Sequence, residues 1–323
     1  MKWHIRISIA MACLAYGAIA VQAQGYPTRP VRVVVPFAPG GPADTLARPV
    51  MQRLSTALGQ SVVIDNRPGA GGTIASKTVA TAEPDGYTLL FGNTATFAVG
   101  PAVYANIGYD PIKQFAPVAL VTMTNNVLAV RTTLPVTSVP DLIAYARANP
   151  GRVNFASPGH GTPPHMIGEM FKQRAAIDIV HVPYRGTAPA LTDMISGQMD
   201  MTFENPSVIV PLVHENKIRG LAVTGEARNA QLPDLPTMIE SGLPDFVSTS
   251  FTGVAAPVGT PPDIIKRINS AINDGLTSPE LGAVLLTLGV GIRPGSPEEF
   301  GAFLLTEVQK WAAVAKRAGI RID

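Results

Sequence analysis

Cysteine is nearly absent from the sequence. Cys13 is the one thiol in 323 residues, and it sits in an N-terminal stretch that reads as a secretory leader. A mature chain without cysteine forms no disulfide and carries out no thiol chemistry, so its stability comes from its core. Too short an apolar segment precedes Cys13 for a lipid-anchor reading. Charge is also sparse: charged residues make up 15% of the chain and the formal net charge is +2. That excess belongs to the leader, because Lys2 and Arg6 are two of the 25 basic residues and none of the 23 acidic ones precedes Gln24. A mature chain with no net charge argues against nucleic acid or an anionic membrane surface as a partner. Long apolar runs are missing as well. Ile7–Val21 is short for a membrane span, and no second run follows. No tandem repeat or low-complexity tract is visible.

What is present in the leader is a basic start at Lys2 and Arg6, the apolar run, and Val21-Gln22-Ala23 where signal peptidase reads. Export to the periplasm, with cleavage near Ala23, is the expectation. The rest is apolar enough to fold, at 46% hydrophobic residues, so its 30 Gly and 30 Pro mark turns rather than disorder. A chain of this length buries a large core and divides into two lobes.

The chain is organised around Val33–Asp44. An apolar β-branched run reads as a buried strand, a Pro/Gly turn follows, and Leu46, Val50, Leu54 and Ala57 at helical spacing lead to Gly59. Strand, glycine turn and helix make the form of an anion pocket, in which the backbone approaches the ligand and the first helical turn offers free N–H groups. An ordinary strand-to-helix loop has the same form. Further strands are expected at Val62–Asn66, Tyr87–Gly92, Val118–Thr122, Val127–Arg131, Val153–Ala156, Ile179–Val182, Met199–Phe203, Ile218–Thr224 and Thr252–Ala255. Helices are expected at Asp44–Leu58, Gly72–Ala82, Val139–Ala148, Pro164–Arg174, Ala188–Ser196, Pro206–Glu215, Pro262–Leu276, Pro279–Leu288 and Pro297–Ala318. Ser138, Ser278 and Ser296 stand where helix caps belong, each just before a first turn that contains Pro and an acidic residue. The alternation predicts an α/β fold with mostly parallel sheets flanked by helices. Ligands of such sheets sit beyond the carboxyl ends of strands, which selects the turns after Val35, Asn66, Phe91, Ala156, Val182 and Phe203.

These turns admit two readings each. Asn66–Thr73 fails as a dinucleotide loop, since Ile74 occupies the third glycine position, and is either a close approach to a small ligand or a tight connection. Asn93 and Thr94 offer hydrogen-bonding groups to a carboxylate or cap the next segment. Ser157 with His160 invites a hydrolase reading, but Phe155 stands where a nucleophile elbow needs glycine, and no Asp or Glu lies within the turn. His160 and His165 are five apart with no carboxylate between them, which is not a helical zinc pair. Neither a metal nor a cofactor is implied. Arg185 either forks onto a carboxylate or makes a surface ion pair. Glu204 either faces a ligand or complements the helix that follows it.

Pro36-Phe37, Gly40-Gly41, Asp44 and Ala47-Arg48 resemble the opening motif of the Bug receptors, the TctC-like extracytoplasmic solute-binding proteins of tripartite tricarboxylate transporters. The resemblance continues at Asn66–Gly72, Pro84–Leu90, Val182–Gly186, Leu232–Asp234 and Ala256–Pro261. Together the blocks span most of the mature chain. The resemblance implies a two-lobed periplasmic-binding fold of type II character, with crossings near Thr122–Val127 and Thr224–Arg228. Lobe one is then 24–124 with 225–323, and lobe two is 125–224. It implies a receptor, not an enzyme, that takes a small organic acid from the interlobe cleft to inner-membrane transporter subunits, as a monomer. In that reading Phe37 packs on the ligand. The backbone of Ala38, Gly41 and Gly71, with Asn93, Thr94, Ser157 and Thr162, holds a carboxylate directly or through water. Asp44 and Glu204 read the far end, and their charge favours a monocarboxylate or an amino-acid- or amide-like ligand. The chain departs from the family pattern at Thr162-Pro163-Pro164, where two helix-start N–H donors are lost, at Arg185 in place of Lys, and at Glu204 where Asp is usual. A secreted serine hydrolase using Ser157, His160 and a distant acid, and a sensor that presents its solute to a signalling partner, are the alternatives.

Overall fold

The computed structural model describes residues 25–322; the expected leader Met1–Ala23 lies outside the described residues. None of the described helices is long and apolar enough to cross a membrane.

Val31–Val35 (β1) is the seed of the first sheet. Four of its five side chains are fully buried, as befits a strand covered on both faces. Pro42–Leu58 (α1) follows. It starts at Pro42 and ends on Gly59, whose φ of 67° gives the left-handed closure that glycine allows. Leu46, Val50 and Leu54 face the core from α1, each burial stabilising by about 1.5–3 kcal/mol. Val62–Asn66 (β2) and Thr88–Asn93 (β3) flank β1 in parallel, with the short helix Thr73–Ala80 (α2) between them.

Past β3 the chain makes a wide helical turn at Ala95–Val99 that runs into Gly100–Val103 (α3). Gly92 makes this turn possible. A Cβ there would lie 2.3 Å from the Phe97 ring, so glycine is needed for Phe97 to fold back over the strand.

Phe115–Asn125 (β4) closes the first pass and Val127–Arg131 (β5) opens the second sheet. Then come Val139–Ala148 (α4), Val153–Ser157 (β6), Pro163–Ala175 (α5), Ile179–Pro183 (β7), Thr187–Ser196 (α6), Met201–Glu204 (β8), Pro206–His214 (α7) and Ile218–Val223 (β9). The chain returns through Thr249–Pro257 (β10), Pro262–Leu276 (α8), Pro279–Thr287 (α9), the two-residue strand Gly291–Ile292 (β11) and Pro297–Ala318 (α10). Ser296 and Glu299 form a reciprocal capping box at the start of α10.

The first sheet has the order β11-β4-β10-β3-β1-β2 and the second β7-β6-β8-β5-β9. Helical crossovers produce the parallel pairs β1–β2, β1–β3, β6–β7 and β6–β8, whereas the strands beside the passages between sheets, β4, β10 and β5, pair antiparallel. The passages are stitched together. Thr224 Oγ1 accepts from the Asn126 N–H at 2.9 Å and donates to the Ser248 carbonyl, and Ser250 Oγ donates to Asn126 Oδ1 at 2.7 Å. Met238, Leu243 and Phe246 of the stretch 225–248 pack in the core of the second sheet, beside Phe171 and Phe203. Helix α10 serves both cores: Phe300 and Leu304 join the first, and Trp311 and Val314 the second.

Candidate functional site

A cavity of about 1020 Å³ lies between the two sheets. Its walls are the turns at the carboxyl ends of β1, β2 and β3 on one side and of β6, β7 and β8 on the other, with Thr122, Thr124, Ser250 and Thr252 of the crossing strands behind them.

Besides α5, which starts behind Thr162 on Pro163 and Pro164, three described helices begin on this cavity without a side-chain cap: α1 behind Gly41, α2 behind Gly72 and α6 behind Gly186. Apart from Pro42, which carries no N–H, and Thr73, which donates to the Ala70 carbonyl, their first-turn N–H groups have no partner within the helix, and their positive ends favour an anion. Two come from the first sheet and one from the second. Gly72 is required here, with φ of 95° and a Cβ position only 2.5 Å from Thr96 Cγ2. Arg185 and Glu204 are the charged side chains of the lining.

The residues expected to bind ligand fall into distinct places. Phe37, Ala38, Gly41, Gly71, Asn93, Thr94, Thr162 and Glu204 line the cavity, and Asp44 and Ser157 do not. Asn93 Oδ1 accepts from the N–H groups of Ala95 and Thr96 at 3.1 and 3.3 Å, so it caps the turn and leaves its amide N–H groups for other partners. Thr94 Oγ1 bridges to the backbone of Phe251 in β10, accepting from its N–H at 2.8 Å. Thr162 Oγ1 donates to the Gly159 carbonyl at 2.8 Å, which leaves its lone pairs rather than its proton for a ligand.

Asp44 is 2% exposed. Its carboxylate accepts from the Gly40 N–H at 2.9 Å, from Asn66 Nδ2 at 3.0 Å, and from the Arg48 guanidinium through Nε at 2.8 Å and Nη2 at 2.9 Å. Burial pushes the group up, but the bonds from Arg48, Gly40 and Asn66 together hold it below the usual carboxylate range. Asp44 therefore shapes the β1–α1 turn as a compensated charge. Glu204 is different. It is 3% exposed and, among the described residues, receives the Asn205 N–H at 2.9 Å and the Thr187 hydroxyl at 3.2 Å. Burial pushes its carboxyl up to about 7, against those two bonds.

Ser157 is fully buried and pairs with His181 Nε2 at 2.6 Å, not with His160. The His181 ring lies between Phe155 and His165, with ring centroids 4.9 and 4.0 Å away. A buried hydroxyl away from the cavity is not placed to attack a solute bound there.

Residues that sequence reasoning passed over include Tyr104, Thr124, Asn126 and Ser250, all in the lining. The crossing at Thr122–Val127 was the available signal for Thr124 and Asn126, since a chain passing between lobes borders their cleft. Nothing local marks Tyr104, which reaches the second sheet's loops by donating its hydroxyl to the His160 carbonyl at 3.1 Å.

A family profile described as the tripartite tricarboxylate transporter family receptor, TctC, matches residues 46–320. The chain belongs to the TctC receptor family. It is 35% identical to the protein BugT of Bordetella pertussis over 319 residues, covering 98% of this chain and 97% of that one. Among solved structures, Rpa4515 of R. palustris with adipate is 40% identical, with a TM-score of 0.88 over 92% of this chain and 99% of that one. MatC from Rhodopseudomonas palustris with bound malate is 34% identical, with a TM-score of 0.84 over 90% and 99%. As in other TctC-type receptors, two sheets flanked by helices enclose the solute cavity, and the family is one of solute-binding receptors rather than enzymes.

Proposed function

We propose that this TctC-family receptor captures a small dicarboxylate in the cavity between its sheets and delivers it to inner-membrane transporter subunits. The observation that carries the reading is the convergence of three uncapped helix N-termini, from both sheets, on one cavity. Such a site holds carboxylates with backbone dipoles and needs few cations. The adipate and malate bound to two close structural relatives support a dicarboxylate. The expectation of a monocarboxylate rested on Asp44 and Glu204 as two facing anions. Asp44 is matched by Arg48 outside the lining, and a carboxyl raised to about 7 donates a hydrogen bond to a ligand oxygen when protonated. The N–H groups behind Gly41, Gly72 and Gly186, with Phe37 and Asn93, form the binding wall. The lobes are 24–124 with 249–323, and 125–248 rather than 125–224, because Met238, Leu243 and Phe246 pack in the second core, the stitched crossing at Asn126, Thr224 and Ser248 being the place where they flex. The receptor acts as an exported monomer that begins at Gln24.

The test is a thermal-shift and calorimetric comparison of mono-, di- and tricarboxylates on periplasmic material whose intact mass begins at Gln24. Four- to six-carbon dicarboxylates should raise the melting temperature most and bind one per chain. A ranking led by monocarboxylates or amino acids would overturn the reading.

A further inference from the structure

Five histidines occur in the sequence, and three of them, on separate parts of the second lobe, meet at one point. His160 lies in the turn after β6, His165 in the first turn of α5, and His181 on β7. One ring nitrogen from each lies within 4.8 Å of the other two. The rings contact one another directly, with centroids 5.5, 5.1 and 4.0 Å apart. His160 is exposed and lines the solute cavity, and His165 is buried behind it. We propose that His160, His165 and His181 form a binding site for one divalent transition-metal ion at the cavity wall.

The ligand set selects the ion. Imidazole nitrogens suit zinc, copper and nickel, whereas calcium and magnesium require oxygen. The rings of His165 and His181 are oriented by their own hydrogen bonds. His165 presents an unprotonated Nδ1, which accepts a 3.2 Å bond from the Gly161 N–H; the ion takes that lone pair in its place. His181 is held at Nε2 by Ser157 Oγ, and Ser157 Oγ can accept there because it donates to the Gly159 carbonyl at 3.1 Å. With the Ser157 proton on the Gly159 carbonyl, His181 carries its own proton on Nε2 and turns a bare Nδ1 to the cluster, the way a second partner orients a ligating imidazole.

A tetrahedral ion with bonds of about 2.0–2.1 Å needs ligand nitrogens about 3.3 Å apart, so the cluster must tighten. The exposed partner is His160, which sits between Gly159 and Gly161, at φ of 144° and 69°. The two prolines at 163 and 164 also acquire a purpose. A cation beside the start of α5 would be disfavoured by that helix's N–H groups, and Pro163 and Pro164 supply none. The remaining coordination position is left to water or to an anion in the cavity.

The inference does not depend on the solute's identity. Tag-free receptor, purified without polyhistidine and stripped with chelator, is titrated with Zn²⁺ by calorimetry, and Co²⁺ is used as a visible-absorption probe. One Zn²⁺ should bind per chain, and Co²⁺ should give the ligand-field bands of a tetrahedral nitrogen site. His160→Ala, at an exposed position, should weaken Zn²⁺ at least about tenfold, since even loss of an outer partner costs that much. His214→Gln, remote from the cluster, should leave binding unchanged. No Zn²⁺ binding by the wild type, or binding that survives His160→Ala intact, would overturn the site.

Discussion

Replacing Glu204 by Gln isolates a buried carboxyl whose titration is displaced toward neutrality. Its folded-state value of about 7 lies above an ordinary 4.5 because burial penalises the charged form. Between those values the folded protein keeps the proton and the unfolded chain has lost it, so stability falls as pH rises through the window. At 1.36 kcal/mol per unit the whole window amounts to about 3 kcal/mol. Gln keeps an oxygen for the Asn205 N–H, turns its amide N–H groups toward the Thr187 hydroxyl, which can accept, and never ionises. The assay is urea unfolding of ligand-free wild type and Glu204→Gln from pH 4 to pH 8.5. Taking the difference at each pH cancels every other titrating group. The variant's stability relative to wild type should rise by about 3 kcal/mol between pH 4.5 and 7, then level off. A pH-independent difference, or one that falls across the window, would refute an elevated, buried Glu204.

Asp44→Asn leaves the Arg48 guanidinium without its carboxylate and should destabilise the fold by about 1.5–3 kcal/mol in urea melts; an unchanged midpoint would show that the β1–α1 turn does not rely on that ion pair. Gly92→Ala forces a methyl against the Phe97 ring and should cost about 1–3 kcal/mol; a variant as stable as wild type would mean that the wide turn at Ala95–Val99 relaxes freely.

Much of the fold was legible in the chain alone, because it is written in local chemistry. β1, β2, β5 and the helices Val139–Ala148, Pro262–Leu276 and Pro297–Ala318 fall where apolar period, proline starts and serine caps put them. The turns that line the cavity could also be named, since glycines ahead of helices sit at strand ends whatever the rest of the chain does. Tertiary structure decided what no local pattern encodes. The wide turn after β3 depends on Phe97 finding space over Gly92, and β11 exists only as a short pair with β4. Asp44 and Glu204 are both buried acids beside helix starts, yet one is compensated and the other is driven toward neutrality. The difference is the company burial brings: Arg48, Asn66 and Gly40 for the first, two neutral donors for the second. The sequence placed Ser157 with His160, whereas the parallel pairing of β6 with β7 set it against His181, 24 residues away. That same pairing gathers three histidines whose spacing along the chain carries no metal signature, because strand register, not sequence distance, determines which side chains meet.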